Sequence, residues 1–121
     1  MKSESTIQSE IRLKASEQGI RLWRNNVGCA KTERGFVRYG LANETPEMNR
    51  RIKSADLIGI TPYTVKQEDV GRVLGVFTSI EVKREGWKTS GKERDSGQSM
   101  WMKIVQSLGG IAKIISSADD L

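Results

Sequence analysis

Two carboxylates and a lysine stand where short apolar runs meet polar sequence. Asp56 lies in Ser54-Ala55-Asp56-Leu57-Ile58-Gly59-Ile60, and Glu81 and Lys83 lie in Ile80-Glu81-Val82-Lys83. The runs at 57–60 and 74–80 are rich in β-branched side chains and bounded by Gly, Pro or charge, which predicts strands rather than helices. Alternation along a strand puts Glu81 and Lys83 on one face, ~6.6 Å apart, and turns Val82 the other way, into the core. An acid and a base held side by side at a strand end, with Asp56 at the edge of the other strand, suit a divalent-cation site for phosphodiester hydrolysis. The plain alternative is a solvated Glu–Lys pair, and exposed pairs contribute little.

Composition narrows the chemistry. Histidine is absent from the 121 residues, which removes Ser-His triads, His-ligated zinc and imidazole acid–base catalysis. Any hydrolysis must then use carboxylates, lysine and a metal-activated water. The net charge of +5 favours an anionic partner, with nucleic acid the usual one, although a lysine-rich solvated surface gives the same balance. The length fits one domain, residues 1–121, with a single core. No apolar run approaches the ~20 residues of a membrane span. Met1-Lys2-Ser3-Glu4-Ser5 has no apolar leader core, and the lone Cys29 has no internal disulfide partner. A cytoplasmic protein without a membrane partner is expected.

The elements that must position these residues follow from periodicity. Residues 5–18 are predicted as a helix with Ile7, Ile11 and Ala15 on its buried stripe, Ser3 or Ser5 as its cap and Gly19 after its end. Glu4 and Gln8 border that stripe as i,i+4 neighbours. Residues 20–26 alternate as a strand, with Trp23 packing under the helix and Arg24, Asn25 and Asn26 at its end, where they suit phosphate contacts. A loop with Lys31 and Arg34 leads to a hairpin-related strand over 36–40. Residues 43–53 form a loop or one short helix, with Arg50, Arg51 and Lys53 placing positive charge before Asp56. A long central strand is predicted over 73–83, then a basic, glycine-rich loop over 84–97 with Lys88, Lys92 and Arg94. The helix over 98–108 has Trp101, Ile104, Val105 and Leu108 as its apolar stripe, with Gln98 one turn earlier on the same side. Gly109-Gly110 ends it before a last strand over 111–116. The expected fold is α/β, in the order α-β-β-β-β-α-β, with a mixed sheet flanked by helices.

This ordered series resembles the virus-type replication-repair nuclease (VRR-NUC) domain, a branch of the PD-(D/E)XK nuclease superfamily. The resemblance covers nearly the whole chain. It runs through Glu4…Gln8, Trp23-Arg24-Asn25-Asn26…Gly28, Tyr39-Gly40-Leu41 and the Asp56 and Glu81–Lys83 stretches, then through Ser90-Gly91-Lys92…Gln98 and Gly109-Gly110-Ile111-Ala112. Two departures stand out: Ala55 replaces the superfamily's proline before the aspartate, and residues 43–53 are longer and more basic than its pattern.

The resemblance implies a restriction-endonuclease-like sheet and a metal-dependent DNA endonuclease. Asp56, Glu81 and the Val82 carbonyl would hold Mg²⁺ or Mn²⁺, Lys83 would orient the attacking water or stabilise the developing charge, and Gln98 would support the site. Glu4 or Gln8 would be the first-helix member. The small stand-alone form implies junction-resolving action on branched DNA by a homodimer in a bacterial or phage-infected cell. Lys31, Arg50, Arg51, Lys53, Lys88 and Lys92 are the expected DNA contacts, with Arg24, Asn25 and Asn26. The alternative is a non-catalytic nucleic-acid-binding module on the same fold.

Overall fold

The computed structural model describes residues 1–87 and 97–121. The protein is mixed α/β; the described residues form three α-helices and three two-stranded ladders. It divides into two compact units, Met1–Gly59 and Ile60–Leu121. Lys88, Lys92 and Arg94, and with them the Ser90-Gly91-Lys92 motif, lie outside the described residues. No helix among the described residues is long and apolar enough to cross a membrane.

The first unit opens with helix α1, Glu4–Glu17. Ser3 caps it, accepting from the Thr6 amide at 3.2 Å. Gly19 takes φ +76° and lets the Ile20 amide return to the Ala15 carbonyl at 2.9 Å. Of the expected stripe only Ala15 is buried; Ile7 and Ile11 stay substantially exposed, because α1 packs on the short strand β1, Arg21–Arg24. β1 pairs with β4, Leu57–Ile60, whose last residue is the first of the second unit. A Cβ at Gly59 would overlap the Arg21 carbonyl, so this close strand approach requires glycine.

Between them, β2 (Gly28–Thr32) and β3 (Gly35–Tyr39) form an antiparallel hairpin, in register from Gly28↔Tyr39 to Thr32↔Gly35. The stretch around Lys31 expected as loop is therefore a strand, and the element order gains β2. Its Gly-Cys-Ala-Lys-Thr sequence carries little strand preference of its own, and pairing with β3 supplies the order. The short helix α2, Pro46–Arg51, starts at Thr45, whose hydroxyl accepts from the Met48 amide, with Pro46 at the first helical position.

In the second unit β5 (Thr78–Val82) and β6 (Ile111–Ile115) pair in parallel, joined by helix α3, Gly97–Ser107. Val105 is fully enclosed, with Ala112 and Ile60 the other buried apolar side chains of this unit. Phe77 and Trp101 meet edge to face at 6.5 Å. The long strand expected over 73–83 is shorter than the apolar run. β6 offers partners only from Ile111, opposite Thr78, and Val73 before that point is 97% exposed.

Candidate functional site

The candidate residues fall in the two units, and each set has its own geometry. In the first unit, Asp56 lines an open pocket of about 480 Å³ together with Gln8, Arg24, Asn25, Asn26, Val27 and Tyr39. Segments far apart in sequence thus bring five expected site residues to one place. Of the two first-helix candidates, Gln8 lines this pocket while Glu4 is exposed.

Asn25 explains how Asp56 is held there. Its amide donates to Ser54 Oγ at 2.8 Å and to the Ala55 carbonyl at 2.9 Å, and its Oδ1 accepts from the Leu41 amide at 3.3 Å. The Asn25 backbone amide donates to the Asp56 carbonyl at 2.8 Å. With these groups engaged inside the protein, Asn25 fixes the approach to β4 instead of reaching out to a phosphate. Arg24 and Asn26 remain beside Asp56 as the pocket's cationic and amide members.

The other basic residues stand apart from that pocket. Lys31 is exposed on β2, and Arg50 and Arg51 are exposed in the last turn of α2. Lys53 donates to Asn49 Oδ1 and borders a separate pocket of about 410 Å³ with Gly28, Arg38 and Ser54.

In the second unit, alternation along β5 puts Ser79 and Glu81 on the face that meets α3, and Lys83 follows the strand's end. Gln98 Nε2 donates to Glu81 Oε1 at 2.8 Å, and Trp101 Nε1 donates to Ser79 Oγ at 2.7 Å. Lys83 Nζ stands 3.6 Å from the same Glu81 Oε1 and 5.6 Å from the centroid of the Trp87 ring. Glu81 Oε2 has no hydrogen bond to a described residue. Glu81, Gln98, Ser79 and Trp101 line a small pocket of about 210 Å³ with Lys113 and Met102.

One expectation fails here. Val82 points away from Glu81 and Lys83 but is 73% exposed rather than buried, because α3 covers the opposite face of the strand. Trp87 was not singled out from the sequence. Its signal was the Lys83–Trp87 spacing across a turn closed by the Trp87 amide to the Arg84 carbonyl at 3.1 Å.

The donor set suits a hard dication. Carboxylate and carbonyl oxygens are what Mg²⁺ and Mn²⁺ prefer, and no thiol or imidazole competes for them. Among the described residues no group of three or more Cys, Asp or Glu side chains forms a metal cluster; Asp56 lines one pocket and Glu81 another. No protein-family model matches the chain, and no curated protein or solved structure matches it either.

Proposed function

We propose that the protein is a Mg²⁺- or Mn²⁺-dependent DNA endonuclease of the VRR-NUC type, built on the PD-(D/E)XK sheet and acting as a homodimer on branched DNA in the cytoplasm. The observation that carries this reading is the Glu81 carboxylate. One oxygen is held by Gln98 and neighboured by Lys83, and the other is without a described hydrogen-bond partner. A merely solvated Glu–Lys pair has no need of a helix-borne amide to fix its rotamer.

Asp56, Glu81 and the Val82 carbonyl are the proposed cation ligands, and the ion would supply Lewis acidity and a more acidic bound water. Gln98 holds Glu81 in one rotamer, which keeps its second oxygen directed outward. Lys83 carries its charge between the Glu81 oxygen and the Trp87 ring, so it remains near the strand end when Glu81 engages another cation. There it stabilises charge developing on a phosphate. Arg24 and Asn26, beside Asp56, offer donors to the flanking phosphates. A resolvase makes paired symmetric cuts, which a two-fold dimer provides.

The test incubates the purified protein with a four-way junction, a flap and linear duplex, in Mg²⁺, Mn²⁺ or EDTA. Cleavage is expected only with metal, and neither Asp56→Ala nor Lys83→Ala should cut. Cutting that persists in EDTA removes the metal mechanism, and metal-independent binding without cutting leaves the binding module. Sedimentation of a monomer at the assay concentration would count against resolvase action.

A further inference from the structure

We propose that Tyr39 is a stacking platform for an unpaired DNA base beside the Asp56 pocket, and thereby the residue that makes the protein prefer branched DNA to linear duplex. This role rests on the nuclease reading above, and it adds a residue to which no role has been given.

Tyr39 ends β3 directly opposite Gly28. A Cβ at Gly28 would overlap Tyr39 Oη and Cζ, so the ring lies across the backbone of β2 where only glycine leaves room. The same rung is clamped from within. Asn43, 1% exposed, donates from Nδ2 to the Gly28 carbonyl at 2.7 Å and to the Tyr39 carbonyl at 2.8 Å. Its Oδ1 accepts from Arg38 Nη2 at 2.7 Å, and Arg38 Nε donates to the Asn43 carbonyl at 2.8 Å.

A buried amide and an arginine thus fix the backbone rung, and the glycine leaves room on it for a ring that is itself 48% exposed and lines the pocket with Arg24, Asn26 and Asp56. The ring is preorganised, so little side-chain freedom is lost when a flat partner covers it. Its neighbours supply charge and amide donors suited to a phosphate, and the group next to a phosphate that offers a flat face is a base. In linear duplex those faces are buried in the stack; at a flap, a single-stranded end or an unpaired position at a branch they are free. Stacking is therefore available to branched DNA and withheld from duplex.

The ordinary alternative is that Tyr39 only covers its cross-strand glycine and stabilises the hairpin. That role predicts equal losses on every DNA and a lower unfolding temperature. The experiment measures the Kd of a four-way junction with unpaired thymines at its branch and of linear duplex in Ca²⁺, for the wild-type protein, Tyr39→Phe and Tyr39→Leu. It also irradiates the wild-type protein on a junction carrying 5-iodouracil at the branch. Tyr39→Leu should lose about tenfold on the junction with duplex affinity unchanged. Tyr39→Phe should bind like wild type, and the crosslink should map to Tyr39.

Equal losses on both DNAs, no loss on either, a Phe variant as weak as the Leu variant, or a crosslink elsewhere overturns the proposal. If Tyr39→Leu does not fold, the wild-type crosslink decides alone. A wild-type protein that cuts junctions while Tyr39→Leu keeps the junction preference removes this role and spares the nuclease. One that binds neither DNA removes both.

Discussion

Asp69 and Glu81 are two carboxylates of the same unit with opposite surroundings. Asp69 is buried, and both its oxygens face protein donors: the Lys66 amide at 2.9 Å on Oδ2 and Arg72 Nη1 at 2.7 Å on Oδ1. Glu81 is half-buried at the end of β5, with its described contacts on one oxygen only. A carboxylate with both oxygens engaged inside the protein is a structural bracket. One fixed on a single side keeps coordination capacity for a ligand. Neither the residue type nor the local charge separates the two; the distribution of donors does.

The largest expected effect follows from replacing each by its amide. Glu81→Gln should lower the cleavage rate about 10²- to 10³-fold while leaving thermal unfolding near wild type. Asp69→Asn should do the reverse, lowering the unfolding temperature while the folded fraction cuts at the wild-type rate. Single-turnover cleavage and circular dichroism melts on the same preparations measure both. A Glu81→Gln protein that cuts normally would put Glu81 back among solvated pairs. Next in size, Gln98→Ala should cost about tenfold in kcat and raise the Mg²⁺ concentration needed for half-maximal rate, because the freed Glu81 must be ordered by the ion itself. Unchanged Mg²⁺ dependence would mean that the amide orders nothing.

A smaller effect is expected at Trp87. Its ring holds the Lys83 ammonium at 5.6 Å to the centroid, a contact worth about threefold in an exposed setting. Trp87→Leu should lower kcat by about that factor, and Trp87→Phe should restore most of it, read in the same single-turnover assay. Equal losses in both variants would assign the tryptophan to packing.

Much of this contrast was hidden in the sequence. The strands at β1, β3, β4 and β6 and the helices α1 and α3 are legible because their apolar residues recur at the periods of strand and helix. β2 is not, since Gly28-Cys29-Ala30-Lys31-Thr32 has no apolar alternation and gains its order from the partner strand. The run before β5 looks like strand because Val73, Leu74 and Val76 are β-formers, yet a strand needs a ladder and β6 is too short to provide one there. The hydrogen bond between Gln98 and Glu81 joins residues 17 apart, beyond any local period, and only the family resemblance suggested it. Asp69 ends the polar stretch Lys66-Gln67-Glu68-Asp69, which has no apolar periodicity, although its spacing from Lys66 suits a side chain that turns back to a backbone amide three residues earlier.

The smallest effect, and the one that isolates Asp69, is the pH dependence of stability. The Lys66 backbone amide and then the Tyr63 hydroxyl hold the Asp69 carboxyl below its ordinary range, and they outweigh the opposing effect of burial. A depressed folded-state value means the contribution is complete above the unfolded value of about 3.9 and is lost as pH falls through the folded one. Tyr63 is the mirror case: its hydrogen bond to Asp69, followed by burial, raises its hydroxyl above the ordinary value. That contribution is complete below about pH 10 and is lost as pH rises through the raised value. Between those limits the bracket adds no pH dependence. Urea unfolding from pH 2 to 7 should therefore show a loss of wild-type stability below about pH 4 that is shallower in Asp69→Asn. An Asp69→Asn protein with the full acid slope would place the titrating carboxylate elsewhere and erase the distinction between the two acids.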